Sequence, residues 1–90
     1  MEIEFDPAKE ARNLAQHQVS PALAVHVLAS RIGEIDDERH NDGEQRILAF
    51  GYLGARLHCA VYTMRGTTVR VISLRKANRK EISRWQPSQA

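Results

Sequence analysis

Leu57–Arg84 reads LHCAVYTMRGTTVRVISLRKANRKEISR, and it predicts a β-hairpin followed by a helix. Two runs rich in β-branched and apolar residues, Leu57–Met64 and Thr68–Leu74, flank Arg65-Gly66-Thr67, a short glycine-containing connection. Arginines fall at the hairpin tip (Arg65), inside the second strand (Arg70) and at its end (Arg75), and basic residues follow. From Arg65 to Arg84 there are seven Lys or Arg against one acid, Glu81, a local charge of +6; elsewhere six bases face ten acids, −4. The formal net charge of +2 hides that asymmetry. An apolar hairpin carrying ordered arginines suits a polyanion, with RNA the leading candidate.

Outward from the hairpin, the chain divides into short, well-punctuated elements. Gln45–Tyr52 predicts a strand, turned into the hairpin by Leu53-Gly54-Ala55-Arg56. Arg31–Ile35 predicts another, and Asp36–Glu44 between them is a polar loop of turn formers. At the N-terminus Ile3 and Phe5 alternate with Glu2 and Glu4, the pattern of a half-buried strand. Asp6-Pro7 then caps and opens a helix to about Gln16, with Ala8, Ala11, Leu14 and Ala15 as its apolar stripe. Lys9, Asn13 and His17 recur every four residues along its polar flank. Ser20-Pro21 repeats the signal for a second helix to about Ser30, with Ala24, Val27 and Leu28 as core face. Asn78 caps a last helix, Arg79 to about Trp85. The expectation is an α+β domain over residues 1–90: a small antiparallel sheet of four to five strands, two N-terminal helices packed on one face, and a short C-terminal helix.

Composition excludes several classes. Ninety residues with 42% apolar and 27% charged residues are those of one ordinary soluble domain. No apolar run approaches the roughly 18 residues of a bilayer span, and MEIEFDPAKE lacks the order of a signal peptide. A single cysteine, Cys59, excludes an internal disulfide and reads as a core residue. The expected compartment is a reducing cytoplasm, with no membrane partner and no cofactor.

The arginines of the hairpin are the first candidates for chemistry, because a guanidinium fork matches phosphate geometry. A plainer reading pairs Arg70 with an acid such as Glu44 or Glu81. Lys76, Arg79 and Lys80 add general attraction for RNA, and Tyr62 could stack an unpaired base. Among the histidines, His26 and His58 read as surface or core filling. His17, at the bend between helices, and His40, in the acidic loop, are placed to meet a substrate and to carry protons. Asp36, Asp37, His40, Asp42 and Glu44 lack the spacing of a calcium loop or a zinc site, so no metal is expected; Glu44 and Arg46 read as an ion pair.

Three segments, in order and suitably spaced, resemble the BrnT family of type II toxin–antitoxin ribonucleases. FDPAKEARNLAQHQVS is similar to that family's F-x-W-D-P-x-K-x-x-x-N-x-x-K-H-G-V-S-F opening, through Asp6, Pro7, Lys9, Asn13, Leu14, His17, Val19 and Ser20. DERHNDGEQRILAFG resembles its D-x-R-H-x-x-G-E-x-R segment, and VYTMRGTTVRVISLRKANRKE its V-x-Y-T-x-R-x-x-x-x-R-I-I-S-A-R-x-A-x-x-x-E end. Phe5 stands where the family often has Trp, Gln16 and Gln18 replace the Lys and Gly around His17, Pro21 replaces Phe, and Leu74 replaces Ala.

The resemblance implies a RelE-like fold and metal-independent RNA cleavage by 2′-OH attack, arresting translation. Arg65, Arg70 and Arg75 would then hold phosphate and transition-state charge, and Lys9, His17, His40 and Glu44 would be the candidate proton carriers. It also implies a cognate BrnA-like antitoxin with a ribbon-helix-helix part, through which alone operator DNA is bound. Two other readings use the same hairpin: a non-catalytic nucleic-acid-binding module, or a protein-interaction module derived from a degenerate toxin.

Overall fold

The computed structural model describes residues 2–37 and 44–85, with Lys9 described in its backbone alone. The expectations placed on the Lys9 side chain, and on His40 and Asp42, lie outside the described residues. Five strands run β1 Glu2–Phe5, β2 Gly33–Asp36, β3 Ile47–Leu53, β4 Arg56–Arg65 and β5 Thr68–Lys76. The helices are α1 Pro7–His17, α2 Ala24–Ala29 and α3 Arg79–Trp85, with a 3₁₀ turn, Pro21–Leu23, leading into α2.

Local signals account for most boundaries. Asp6 Oδ1 accepts the Ala8 amide at 2.9 Å, so α1 starts where Asp-Pro predicts. Asn78 and Glu81 form a reciprocal capping box at α3, each side chain taking the other's backbone N–H at 2.9 Å. Both hairpins close with two-residue turns, since Leu53 pairs with Arg56 and Arg65 with Thr68. Gly54 and Gly66 lead those turns with φ of +62°, a backbone conformation that favours glycine.

The sheet order is β1-β5-β4-β3-β2. It is mixed, which corrects the antiparallel expectation: β1 runs parallel to β5, pairing Glu2–Phe5 with Thr68–Val71. Residue alternation reveals that β1 is a strand but says nothing of which strand it joins. The first and last strands lie side by side, and every element except α3, which follows β5, forms the connection between them. The helical segments also differ from two continuous N-terminal helices followed by a short one. Pro21 opens a single 3₁₀ turn, and α2 itself is only six residues long.

The helices do not share one face. Ala24, Val27 and Leu28 of α2 pack with Ala49, Ala60, Tyr62, Val69, Val71 and Leu74 on one side of the sheet. Gly51 permits that approach, since a Cβ there would stand 2.6 Å from the Val27 carbonyl oxygen. On the other side Leu48, Phe50, Leu57, Cys59, Val61 and Ala77 pack with Trp85 of α3. The Trp85 ring lies 5.4 Å from that of Phe50 and fills the space a Gly33 side chain would need. Burial of roughly 1.5–3 kcal/mol per large apolar side chain makes both faces contribute to stability.

One irregularity sets where the arginines point. Val61 pairs with Ser73 but Tyr62 pairs with Val71, so β5 carries an extra residue, Ile72. Strict alternation would place Arg70 and Arg75 on opposite faces. The bulge reverses the parity between them: Val69, Val71 and Leu74 all join the α2-side core, and Arg70 and Arg75 therefore share the α3 side.

Candidate functional site

The hairpin arginines share a face, yet each is tied to its own carboxylate. Arg75 grips Glu81 with two bonds, Nη1 to Oε1 at 2.7 Å and Nη2 to Oε2 at 2.9 Å. Those hydrogen bonds raise the arginine's pKa further, against the opposing effect of burial. Arg70 donates to Glu4 of the neighbouring β1 at 2.9 Å and stands 3.9 Å from Asp6. Its partner is therefore neither Glu44 nor Glu81. Arg65, at the exposed tip, faces Glu44 at 3.5 Å. Glu44 thus approaches Arg65, where the sequence paired it with Arg46.

Two of the clefts among the described residues bear on the candidate side chains. The larger, about 570 Å³, is lined by Asp36, Asp37, Arg75, Asn78, Glu81 and Arg84 over a floor of Ile35 and Leu48. Its three carboxylates outnumber its two guanidiniums, so it repels a phosphate strand more than it attracts one. The smaller, about 230 Å³, lies between α1 and the β5 bulge; Arg12, Asn13, Gln16 and His17 face Arg46, Ile72 and Ser73. No carboxylate lines it among the described residues. His17 is the predicted proton carrier that lines this cleft among the described residues, and none of Arg65, Arg70 and Arg75 borders it.

The wall of the smaller cleft is built by Asn13. Its carboxamide nitrogen donates to Leu74 O at 2.9 Å and to Val19 O at 3.0 Å, while its oxygen accepts the Leu74 N–H at 3.0 Å. β1 covers β5 only as far as Val71, so Leu74 lies past the end of the neighbouring strand. Asn13 satisfies the backbone there in place of a strand. The inward face of α1 is thus polar, and the stripe expected to be its core face is turned out: Leu14 is 52% exposed, and Ala8, Ala11 and Ala15 are exposed too.

The remaining candidates fall elsewhere. Lys76, Arg79 and Lys80 are exposed around the start of α3. Tyr62 does not offer a ring to solvent; it is 5% exposed among the α2-side core, and its hydroxyl donates to Glu34. Burial, then that bond, pushes its pKa up to about 12. His58 is buried with Nδ1 at 2.9 Å from Arg56 O, and His26 is exposed on α2. Cys59 is wholly buried, and desolvation pushes its thiol up to about 12.

Arg12, Gln16, Arg46 and Ser73 went unread as site residues. Arg12 and Gln16 at i, i+4 with adjacent His17 were legible as a polar helix face. Arg46 was not, because its place in the same cleft as His17 depends on the strand order and the bulge.

A family model described as the ribonuclease toxin, BrnT, of type II toxin–antitoxin systems matches residues 5–81. The chain belongs to the BrnT family. No curated protein matches it. The BrnT match begins within β1 and ends at Glu81, the carboxylate that holds Arg75, so it takes in every residue lining the smaller cleft and all but Arg84 of the larger. BrnT membership implies an RNA substrate and an antitoxin partner. Among the described residues no helix is long and apolar enough to cross a membrane.

Proposed function

We propose that this BrnT-family chain acts, as one domain over residues 1–90, as a metal-independent endoribonuclease toxin of the cytoplasm that inhibits translation. The observation that carries this reading is His17 in a cleft with Arg12 and Arg46 and no lining carboxylate among the described residues. A neutral imidazole takes the 2′-OH proton, or an imidazolium gives one to the leaving 5′-oxygen, a contribution typically worth about 10²–10⁴ in rate. The 2′-oxygen bonds to phosphorus, the P–O5′ bond breaks, and a 2′,3′-cyclic phosphate and a 5′-hydroxyl result. Nearby guanidiniums stabilise the phosphorane charge.

Arg65, Arg70 and Arg75 contribute to phosphate binding to the extent that a phosphate displaces their carboxylates. That exchange is easiest at exposed Arg65 and hardest at Arg75, whose bidentate pair is partly buried. Lys9, His40 and Glu44 remain candidates for the second proton carrier. Lys76, Arg79 and Lys80 supply general attraction to the strand. A ribbon-helix-helix antitoxin would mask the toxin and bring it to operator DNA.

The test is incubation of the purified chain with RNA in EDTA, with analysis of the new termini. Cleavage leaving cyclic or 3′-phosphate ends is expected, and a strict magnesium requirement would overturn the mechanism. The internal ion pairs on all three hairpin arginines favour one second reading, a non-catalytic binding module. RNA retention without any cleavage would select it.

A further inference from the structure

Arg46 is the least explained charged side chain in the described structure. It precedes β3, is half-buried, and its Nε is fully buried without a hydrogen-bond partner. The other basic groups of the sheet face have carboxylates: Glu44 at Arg65, Glu4 at Arg70, Glu81 at Arg75. Among the described residues no carboxylate pairs with Arg46 or with Arg12 across the cleft. Two guanidiniums and an imidazole therefore converge on a small concavity that no carboxylate lines among the described residues.

That arrangement costs free energy twice, through mutual repulsion and through a buried donor left unsatisfied. One anion in the cleft removes the first of these costs. A guanidinium's planar donors match two oxygens of a phosphate, whereas a chloride could meet only one direction of the fork. A volume of about 230 Å³ is below the roughly 300–1,000 Å³ of sites that enclose whole small ligands, and suits a phosphate group entered from an open strand.

We propose that Arg46 and Arg12 form a phosphodiester-binding subsite beside His17, and that this subsite holds the phosphate at which an RNA strand is cut. The identity of the strand as substrate rests on the ribonuclease reading above; the anion site does not. Ser73 borders the same cleft, and the bulge at Ile72 is what turns this part of β5 toward it. On this view the centre of the site lies between α1 and β5, with the hairpin arginines serving its approaches.

The experiment measures binding of a short fluorescein-labelled 2′-O-methyl oligoribonucleotide, which cannot be cleaved by 2′-OH attack, alongside cleavage of the matching unmodified RNA. Arg46→Ala is expected to weaken binding about tenfold or more, Arg12→Gln severalfold, and each to reduce the salt dependence by about one phosphate contact. His17→Ala is expected to keep binding within twofold and to lose cleavage. Circular dichroism checks folding; if Arg46→Ala does not fold, surface-exposed Arg12→Gln carries the test. Binding unchanged in both arginine variants, with cleavage by the parent chain intact, would overturn the subsite and leave the ribonuclease reading standing. Arginine-dependent binding with no cleavage by the parent chain would end the ribonuclease reading and leave the phosphate site.

Discussion

Asn13 of α1 hydrogen-bonds both backbone groups of Leu74, 61 residues away, at 2.9 and 3.0 Å. It joins the first helix to the last strand where β1 has ended. Replacing it leaves a buried N–H and two carbonyls without partners, each costing about 1–3 kcal/mol. Asn13→Ala is expected to lower stability by about 2–4 kcal/mol in urea unfolding. Asn13→Asp is expected to cost at least as much, because a carboxylate cannot donate to the Leu74 and Val19 carbonyls.

Gln18 ends α1 with φ of +59°, a left-handed conformation, and its N–H bonds to Leu14 O at 2.9 Å. An L-residue there is strained by about 1–2 kcal/mol, partly offset on substitution by the greater chain entropy of glycine. Gln18→Gly is expected to raise stability by about 0.5–1 kcal/mol, read as a higher melting temperature. A lower one would show that the Gln18 side chain is itself needed.

Glu81 acts twice in α3, as the N–H acceptor of the capping box and as the anchor of Arg75. Glu81→Ala removes both and leaves a partly buried guanidinium unpaired, at about 2–4 kcal/mol. Glu81→Gln keeps the cap and loses the charge, so about half that loss is expected. Trp85 is the chain's one tryptophan and packs on Phe50, so its emission reports α3 docking. The alanine variant is expected to shift that emission to the red before global unfolding.

The buried thiol makes stability depend on pH. Cys59 ionises at about 12 folded, against an ordinary value of 9. The folded state therefore favours the neutral thiol. Its contribution is complete below pH 9 and is lost as pH rises from 9 toward 12, by on the order of a few kcal/mol at the upper end. Tyr62 adds the same sign of effect above pH 10, its ordinary value, up to about 12. Between pH 9 and 10 the fall in urea-derived stability is expected to belong to Cys59, and Cys59→Ala is expected to flatten it. A slope unchanged in that variant would contradict the assignment.

Local chemistry made much of the fold legible. Asp6-Pro7, Ser20-Pro21 and Asn78 mark helix starts because each signal is satisfied within three residues. Gly54 and Gly66 mark hairpins because a turn needs their backbone freedom, and Ala24, Val27 and Leu28 read correctly as the buried face of α2. The family's three motifs also lie in the sequence itself, and residues 5–81 suffice to recognise them.

The site was a different matter. The apolar stripe of α1 faces outward because the helix meets the uncovered edge of β5, where backbone groups demand a polar partner, and Asn13 is that partner. The facing of Arg70 and Arg75 follows from a one-residue bulge, which alternation along β5 cannot reveal. The ion pair of Arg70 joins residues 66 apart, across a parallel pairing of the first and last strands. Arg46 lines the same cleft as His17 only through that assembled sheet. Helix caps, turns and charge bias are written in neighbouring residues, so the sequence alone determined the elements and the family. Which charges neutralise each other, and which are left to meet an anion, depends on distances set by strand order and register, and tertiary structure alone decided it.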